Sequence, residues 1–566
     1  MRPLDWLVLS GTLAGIVIYG LYKGRGSDTV NKYLLAGKTM PWYAMALSIM
    51  ATQASAITFI STTGQSYVDG MRFVQFYFGM PIAMVIISAT AVPLFHRANV
   101  YTAYEYLEKR FDAKTRALAS AVFLIQRGLA VGVSLYAPAL VLEVILGWPD
   151  RLTTLAMGAL ITVYTVAGGI KAVTWTDVQQ MVIIFFGLFI AFFIAVSLLP
   201  PSLSFADAVY LAGAIGKLNA VDLHFDLKNR YNLWSGLIGG AFLALSYFGC
   251  DQSQVQRYLT GKSIAQSKLS LLFTAMAKIP MQFFILFVGA IVFVFFIFER
   301  PPLLFQSVAM EGLQSPELHE QYAPIGARFD RAFEQRKEAA NGLVDARRTH
   351  DAGKRAAYLA RYRAAQVEIN GARADGASLV ERSRGEKGFN DTNYIFLSFV
   401  TRYLPAGVVG LLIAVIFAAA MSSSSGEVNS LATVTVVDIY RRHIRQEATD
   451  HHYLWASRIA TAFWAGYAVF FAHYARNLGS LIEAVNLLGS LFYGSLLGVF
   501  VLAFFFPRAT GTGAFVGMLA GEAAIFTAFW FSGISFLWYN VIGCLVVIAT
   551  GVAVSSLRPA RLGALD

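Results

Sequence analysis

Long apolar stretches recur along almost the whole chain, and they constrain the fold more than any other feature. Each exceeds about 18 residues, the length that a helix needs to cross the hydrocarbon core of a membrane. Lipid offers no hydrogen bonds to the backbone, so such stretches fold as helices. Charged residues make up 14% of the 566 residues, against roughly 25% in soluble domains. The sequence therefore predicts an all-α polytopic membrane protein. Its thirteen predicted spans run near 4–22, 41–65, 72–97, 115–147, 152–168, 176–199, 233–255, 267–299, 404–440, 453–474, 479–506, 512–532 and 534–556.

Basic residues gather in alternate short loops, and this pattern predicts the orientation. The clusters that contain Lys23, Lys109, Lys262 and Arg441 fall on one side, which the positive-inside rule makes cytoplasmic. Thirteen spans then place the N-terminus outside and the C-terminus inside the cell membrane, the inner membrane in a bacterium. The net charge of +11 follows from this topology and does not indicate a nucleic-acid partner. The first span lacks a basic leader and a small-residue cleavage pattern, so we expect a retained helix.

The spans divide the chain into four parts. Residues 1–40 are predicted to form an extra N-terminal transmembrane helix and a cytoplasmic loop, 41–199 and 233–506 two sets of five spans, and 507–566 two C-terminal transmembrane helices. Because each set has an odd number of spans, the two sets are inverted relative to one another.

A polar segment, residues 306–392, interrupts the second set. It is rich in Ala, Arg and Glu, and span parity places it outside. The sequence predicts a helix from about Glu317 to Ile369, with a break near Asn341-Gly342 or Gly353. The simplest interpretation is a solvated helical hairpin docked on the outer face. A partner-binding or gating role is the alternative.

The first span of each set carries a small or polar patch at mid-membrane. In span two the patch is Ala51-Thr-Gln-Ala-Ser-Ala56, and in span seven it is Ser246-Tyr-Phe-Gly-Cys-Asp-Gln252. Close packing of small residues explains one such patch well. Paired interruptions at matching positions are the best sequence indication of a transporter's central site. We therefore expect two broken helices beside a binding site.

Span nine contains four consecutive serines, Ser422 to Ser425, followed by Gly426 and Glu427. Serine hydroxyls can bond to the carbonyl one turn back, which is the structural alternative. Hydroxyls and the free carbonyls of a broken helix also supply the oxygen ligands that a hard cation requires. This run therefore indicates a sodium site.

Two ionisable residues within the apolar stretches need an explanation. Asp177 opens span six, where it would cap the helix or lie on the ion's exit path. Arg127 lies well inside span four, and an arginine in a membrane requires compensation. It would bond to a neighbouring carboxylate such as Glu427, or to a carbonyl, or be available to an anionic substrate.

The ordered motifs resemble those of the sodium:solute symporter family, most closely the branch that carries monocarboxylates, iodide and vitamins. They cover most of residues 35–510. They are Ala103-Tyr-Glu-Tyr-Leu-Glu-Lys-Arg-Phe111, Tyr136-Ala-Pro-Ala-Leu140, Tyr164-Thr-Val-Ala-Gly-Gly-Ile-Lys-Ala-Val-Thr-Trp-Thr-Asp-Val178, Gln254-Val-Gln-Arg-Tyr258, and the serine run ending in Asp438-Ile-Tyr440. The resemblance implies a LeuT-like fold of two inverted five-helix repeats and transport by alternating access.

The resemblance also assigns roles to particular residues. It implies a sodium site made of Ala51 and Ala54, through their carbonyls, and of Ala419, Ser422 and Ser423. In some members a second sodium site would include Asp177, Ser422, Ser425 and residue 426, which is Gly here where those members have serine. The substrate positions would be Gln53, Ser55, Thr58, Tyr77, Arg127, Tyr247 and Asn486.

Two comparisons within the family bear on the substrate. Sugar transporters have a carboxylate where Tyr77 stands, which argues against a sugar. Acid-transporting relatives can place an arginine in span four, about one turn from Arg127 toward the outside. We therefore predict sodium-coupled import of a small anionic organic solute. A ligand-sensing receptor with a transporter-like domain, or a symporter of a neutral amino acid or sugar, is the alternative.

The chain has no Gly-x-Ser-x-Gly or His-Glu-x-x-His motif, and we expect neither catalytic residues nor an obligatory protein partner.

Overall fold

The computed structural model describes residues 2–146, 150–385, 387–474 and 481–557, and every regular element in these ranges is helical. The described helices that precede the polar segment are α1 Pro3–Gly24, α2 Val30–Leu35, α3 Trp42–Gln53, α4 Ala56–Asp69, α5 Met80–Ala89, α6 Ala91–Ala98, α7 Ala103–Arg110, α8 Ala113–Leu146, α9 Asp150–Ser197, α10 Phe205–Ala214, α11 Gly240–Gly249, α12 Gln252–Leu259 and α13 Ile264–Phe298. Those that follow are α14 Ser307–Leu313, α15 His319–Arg348, α16 Ala352–Arg384, α17 Ile395–Tyr403, α18 Val408–Val434, α19 Asp450–Ala472, α20 Leu481–Phe505, α21 Gly511–Phe531 and α22 Leu537–Leu557.

Nine helical stretches of the described residues are long and apolar enough to cross a membrane. Two of them, Ala56–Ala98 and Leu152–Ser197, contain 43 and 46 residues. A helix of about 20 residues crosses the hydrocarbon core, so each of these is long enough for two passages. The all-α membrane architecture is therefore confirmed, while the number thirteen stays a prediction.

Helix α9 joins the predicted spans five and six in one helical run with a kink. Gly169 has φ 57° and ψ −157°, a backbone conformation that glycine adopts without steric cost. A Cβ at this position would also overlap the backbone and ring of Tyr33. The helix therefore turns at Gly169 and continues through Asp177, which lies in its interior. The N-cap interpretation of Asp177 was wrong, because the helix does not begin there.

The first helix packs across α9 and α18 through small residues. Gly24 approaches the Cα of Gly168, and the carboxylate of Asp5 accepts hydrogen bonds from the backbone of Gly407 (2.6 Å) and Gly410 (3.1 Å). Asp5 thereby satisfies free amides at the start of α18. The extra N-terminal helix is thus part of the helical bundle.

Residues 306–392 form the expected helical hairpin, made of α15 and α16. The turn between them lies at 349–351, close to Gly353 and one helical turn or more beyond Asn341-Gly342. A small apolar cluster joins the hairpin to the segment before it, with Leu313, Phe329 and Ile369 among its members. The hairpin packs against the C-terminal end of α13, the end away from the basic loop that contains Lys262.

Candidate functional site

Both predicted helix breaks are present. Helix α3 ends at Gln53, Ala54 has φ −86° and ψ 61°, and Ser55 is the extended N-cap of α4. Helix α11 ends at Gly249, and Asp251 is the N-cap of α12, where its carboxylate accepts from the backbone of Ser253 at 2.8 Å. The carbonyls at the end of a helix have no partner within it. Both breaks therefore interrupt the helical hydrogen-bond pattern, and side chains bond some of the carbonyls there: Thr58 donates to Gln53 at 3.2 Å and Tyr104 to Cys250 at 3.0 Å.

A cavity of about 90 Å³ lies beside these breaks. Since one water molecule needs about 10–15 Å³, the cavity has room for roughly six to nine water molecules or a solute of similar size. All seven predicted substrate residues line it, together with Ser423 of the serine run. These seven are Gln53, Ser55, Thr58, Tyr77, Arg127, Tyr247 and Asn486. Their role in binding stays a prediction, but the structure places them around one space.

Arg127 faces this cavity as predicted, and two carboxylates bind it. Its Nη1 donates to Oε1 of Glu427 at 2.9 Å, and its Nη2 donates to Asp251 and to the hydroxyl of Tyr493. The hydroxyl of Tyr493 donates in turn to Asp251 at 2.9 Å. All four side chains are buried. Of the two interpretations of Arg127, the structure favours the internal ion pair, and it adds Asp251 and Tyr493 to the pair.

The serine run faces α3 and α9. Ser422 donates to Oδ1 of Asp177 at 2.5 Å, and Ser48 donates to Oδ2 at 2.5 Å. Ser423 donates to the carbonyl of Ala419 at 3.2 Å, which is the structural alternative expected for such a serine. Ser425 donates to the carbonyl of Ser422 at 3.1 Å.

The five residues of the predicted sodium site are all buried. Ala51 and Ala54 belong to the end of α3, which packs against α18, and α18 carries Ala419, Ser422 and Ser423. Hydroxyl and carbonyl oxygens without a fixed negative charge are ligands that suit a hard monovalent cation. The residue types at this contact therefore fit sodium.

The guanidinium of Arg257 lies beside the carboxylate of Asp177. Its Nη2 lies 3.3 Å from Oδ2 of Asp177, and its Nε donates to the hydroxyl of Thr52 at 2.5 Å. A Cβ at Gly426 would overlap the guanidinium. The glycine that replaces the serine of some family members thus leaves space that this arginine fills.

Sequence reasoning did not identify Lys278, a buried cation on α13. It is fully buried, and its ammonium lies 5.8 Å from the centre of the Tyr77 ring. Among the described residues no hydrogen-bond partner of this ammonium is found. A lone lysine inside an apolar span is a signal of function in itself. That signal is present in the sequence at span eight.

Comparison with known protein families and structures agrees with a transporter. The model of the sodium:solute symporter family matches residues 33–307 and 384–521, and the chain belongs to this family. It is a sodium-coupled solute transporter of the membrane and not an enzyme.

Relatives that transport different substrates are about equally similar to this chain in sequence. The sodium-coupled monocarboxylate transporter 1 of Xenopus laevis is 27% identical over 92% of this chain and 70% of its own length. The sodium/glucose cotransporter of Vibrio parahaemolyticus is 26% identical over 96% and 89%. The percentage of identical residues therefore does not indicate which solute this chain transports.

A solved structure of a sodium-coupled sialic acid symporter, in a substrate-bound outward-open state, has the same fold. It is 24% identical, covers 99% of this chain and 100% of its own, and has a TM-score of 0.77. The LeuT-like fold predicted from the sequence is confirmed.

Proposed function

We propose that the protein imports a small organic anion together with one sodium ion. The balance of six buried charges supports this assignment. Arg127 and Glu427 line the cavity, and Asp177, Asp251, Arg257 and Lys278 are buried in the neighbouring helices. With three cationic and three anionic side chains, the set carries no net charge. One sodium ion then brings one net positive charge into a buried site. A monovalent anion compensates that charge where the dielectric constant is low.

Lys278 is the observation that carries the proposal. Its ammonium is buried beside Tyr77, which lines the cavity, and it makes no ion pair within the described chain. Arg127, by contrast, is already bonded to two carboxylates. We infer that the carboxylate of the solute is recognised on the Tyr77 side of the cavity. The small volume favours a short monocarboxylate over a sugar acid.

The sodium ion is assigned to the carbonyls of Ala51 and Ala54 and to Ala419, Ser422 and Ser423. A second sodium at Asp177 and Ser425 is not proposed, because the guanidinium of Arg257 compensates the carboxylate of Asp177. By the positive-inside rule the hairpin lies outside, the N-terminus outside and the C-terminus inside. The cell membrane, in a bacterium the inner membrane, is the proposed location.

Uptake into proteoliposomes under an inward sodium gradient tests this function. Radiolabelled propionate, lactate, proline and glucose are compared, with and without an inside-negative potassium diffusion potential. One sodium ion with one monovalent anion moves no net charge, so carboxylate uptake should need sodium and not respond to the potential. Lys278→Gln should abolish it, while Lys268→Gln on the same helix should not. Potential-driven uptake of proline or glucose would contradict the anion proposal.

Transport of a neutral solute is the second candidate, and one observation favours it. Oε2 of Glu427 is buried at the cavity wall, and Arg127 bonds the other oxygen, Oε1, of this carboxylate. A carboxylate oxygen there would accept from a hydroxyl or an amino group of a solute. The same experiment distinguishes the two, because neutral uptake with one sodium ion transfers a charge.

A further inference from the structure

A second cavity, the hairpin cleft, lies between the hairpin α15–α16 and the ends of α4 and α13. Its volume is about 430 Å³, a size typical of small-molecule sites. Tyr67, Phe293 and Phe329 form apolar walls. The family model does not match residues 308–383, so the hairpin side of the cleft is not part of the family pattern.

Three cations line the cleft: Lys217, Arg336 and Arg373. No Asp or Glu is found among the lining residues in the described part of the chain. Arg373 is paired with Asp391 at 2.8 Å. The ammonium of Lys217 donates to two backbone carbonyls at 2.6 Å and lies 4.3 Å from the centre of the Phe293 ring. Burial lowers the pKa of Lys217 to about 8, so the group is largely protonated at neutral pH. The lining therefore carries an excess of positive charge.

Arg336 is the least compensated of these cations. Its side chain is buried, with 2% of the residue exposed. Nη1 donates to Gln366 at 3.0 Å, and Nη2 donates to the carbonyl of Phe296 at 2.6 Å. Within the described ranges, Nε has no acceptor and the guanidinium has no carboxylate within ion-pair distance. Buried arginines are normally paired, and a buried charge without a counter-charge is costly.

Tyr362 supplies another unused donor. Its ring is buried, it lines the cleft, and its hydroxyl has no partner among the described residues. The hydroxyl of Tyr362 and Nε of Arg336 are thus two donors without an acceptor in the described ranges, on side chains that line one cleft with the ammonium of Lys217. Donors with positive charge and few acceptors match an anion.

We propose that the hairpin cleft binds a small organic anion, a carboxylate on an apolar body. The carboxylate lies among Arg336, Tyr362 and Lys217, and the body packs against Tyr67 and Phe293. The aromatic walls favour a carboxylate with an apolar body over a strongly hydrated inorganic anion. The site is separate from the central cavity, and it does not require that the transported solute be an anion.

Equilibrium binding to the purified full-length protein in lipid nanodiscs tests the proposal. The probe is benzoate in sodium-free buffer, and benzyl alcohol is the neutral isostere. Benzoate should bind saturably, and benzyl alcohol at least about tenfold more weakly, because the charge-assisted hydrogen bonds are lost. Chloride and phosphate are added as competitors. Displacement by either at a concentration below that of half-saturating benzoate would make the ligand an inorganic anion and overturn the carboxylate assignment.

Substitutions of the residues that line the hairpin cleft show whether benzoate binds there. Arg336→Gln should weaken benzoate binding at least about tenfold, and Tyr362→Phe, which keeps the ring, about fivefold. Arg328→Gln is the control, because Arg328 lies on the same hairpin in an exposed pair with Asp375 (2.6 Å). If Arg336→Gln unfolds the hairpin, the affinity of Tyr362→Phe for benzoate still tests whether the cleft binds it. Unchanged affinity in Tyr362→Phe, or binding that requires sodium and thus reports the central cavity, would overturn the proposal. Failure of carboxylate uptake would contradict the proposed function and leave this site intact.

Discussion

The ion cluster of Arg127, Asp251, Glu427 and Tyr493 makes a strong prediction about stability. Arg127→Gln removes the one cation that bonds both carboxylates and leaves Asp251 and Glu427 buried next to each other. Breaking a buried ion pair by removing one partner costs about 3–5 kcal/mol. We therefore expect Arg127→Gln to lower the free energy of unfolding by at least this amount, whatever the solute is.

A double-mutant cycle gives the magnitude more directly. Glu427→Gln in the Arg127→Gln background removes one of the two uncompensated carboxylates, and the hydrogen bond from Nη1 of Arg127 is already lost. The second change should therefore restore at least about 1–3 kcal/mol, the cost of leaving a buried polar group unsatisfied. In the wild-type background the same change should destabilise. A coupling energy of this size is typical of residues in one network.

The assay is equilibrium unfolding in mixed micelles titrated with SDS, followed by intrinsic fluorescence, with sodium-driven uptake measured on the same preparations. Arg230→Gln is the matched control, because Arg230 is half-exposed and pairs with Glu483 at 2.6 Å. An exposed pair contributes at most about 1 kcal/mol. The reasoning is refuted if Arg127→Gln unfolds like the wild type while its affinity for the solute falls tenfold or more. Arg127 would then serve the substrate and not the scaffold.

Three further predictions concern sodium and topology. Ser423→Ala should raise the sodium concentration for half-maximal uptake about tenfold, since one oxygen ligand is lost, and an unchanged value would contradict the sodium assignment. Uptake by the wild type should depend on the sodium concentration with a Hill coefficient near one. Gly426→Ser should reduce the amount of folded protein, because the new side chain overlaps Arg257. A Hill coefficient near two for Gly426→Ser would instead show that the serine creates a second sodium site. A cysteine replacing the exposed Glu334 of α15 should react with an impermeant reagent in whole cells, and reaction only after permeabilisation would reverse the predicted topology.

The sequence was sufficient where local chemistry decides the structure. Small and polar residues within apolar spans mark both helix breaks, and the resemblance placed seven residues around one cavity. The membrane excludes an arginine without compensation, so a partner for Arg127 was expected, and Glu427 was named. The helix breaks needed no knowledge of which helices touch, whereas the seven cavity residues came from the fold that the resemblance implies.

Other features depend on contacts between distant segments, and the sequence alone could not give them. Asp177 looked like a cap because it follows a gap between two apolar stretches, but Gly169 provides the turn and the helix continues. Asp251 pairs with Arg127 across 124 residues, and no local pattern indicates that pairing. Lys278 was visible as a lone charge, yet only the fold shows that it lies beside Tyr77.

The hairpin also connects parts of the bundle that the chain keeps apart. Arg336 bonds to the carbonyl of Phe296 near the end of α13, while Arg347 and Arg348 bond to Asp207 on α10 at 3.1 and 2.7 Å. Helix α13 therefore cannot rock against α10 at this end without breaking these bonds or taking the hairpin with it. We therefore expect the two helix ends to move together with the hairpin during the transport cycle. Hinge motion is then expected elsewhere, for example at the two helix breaks.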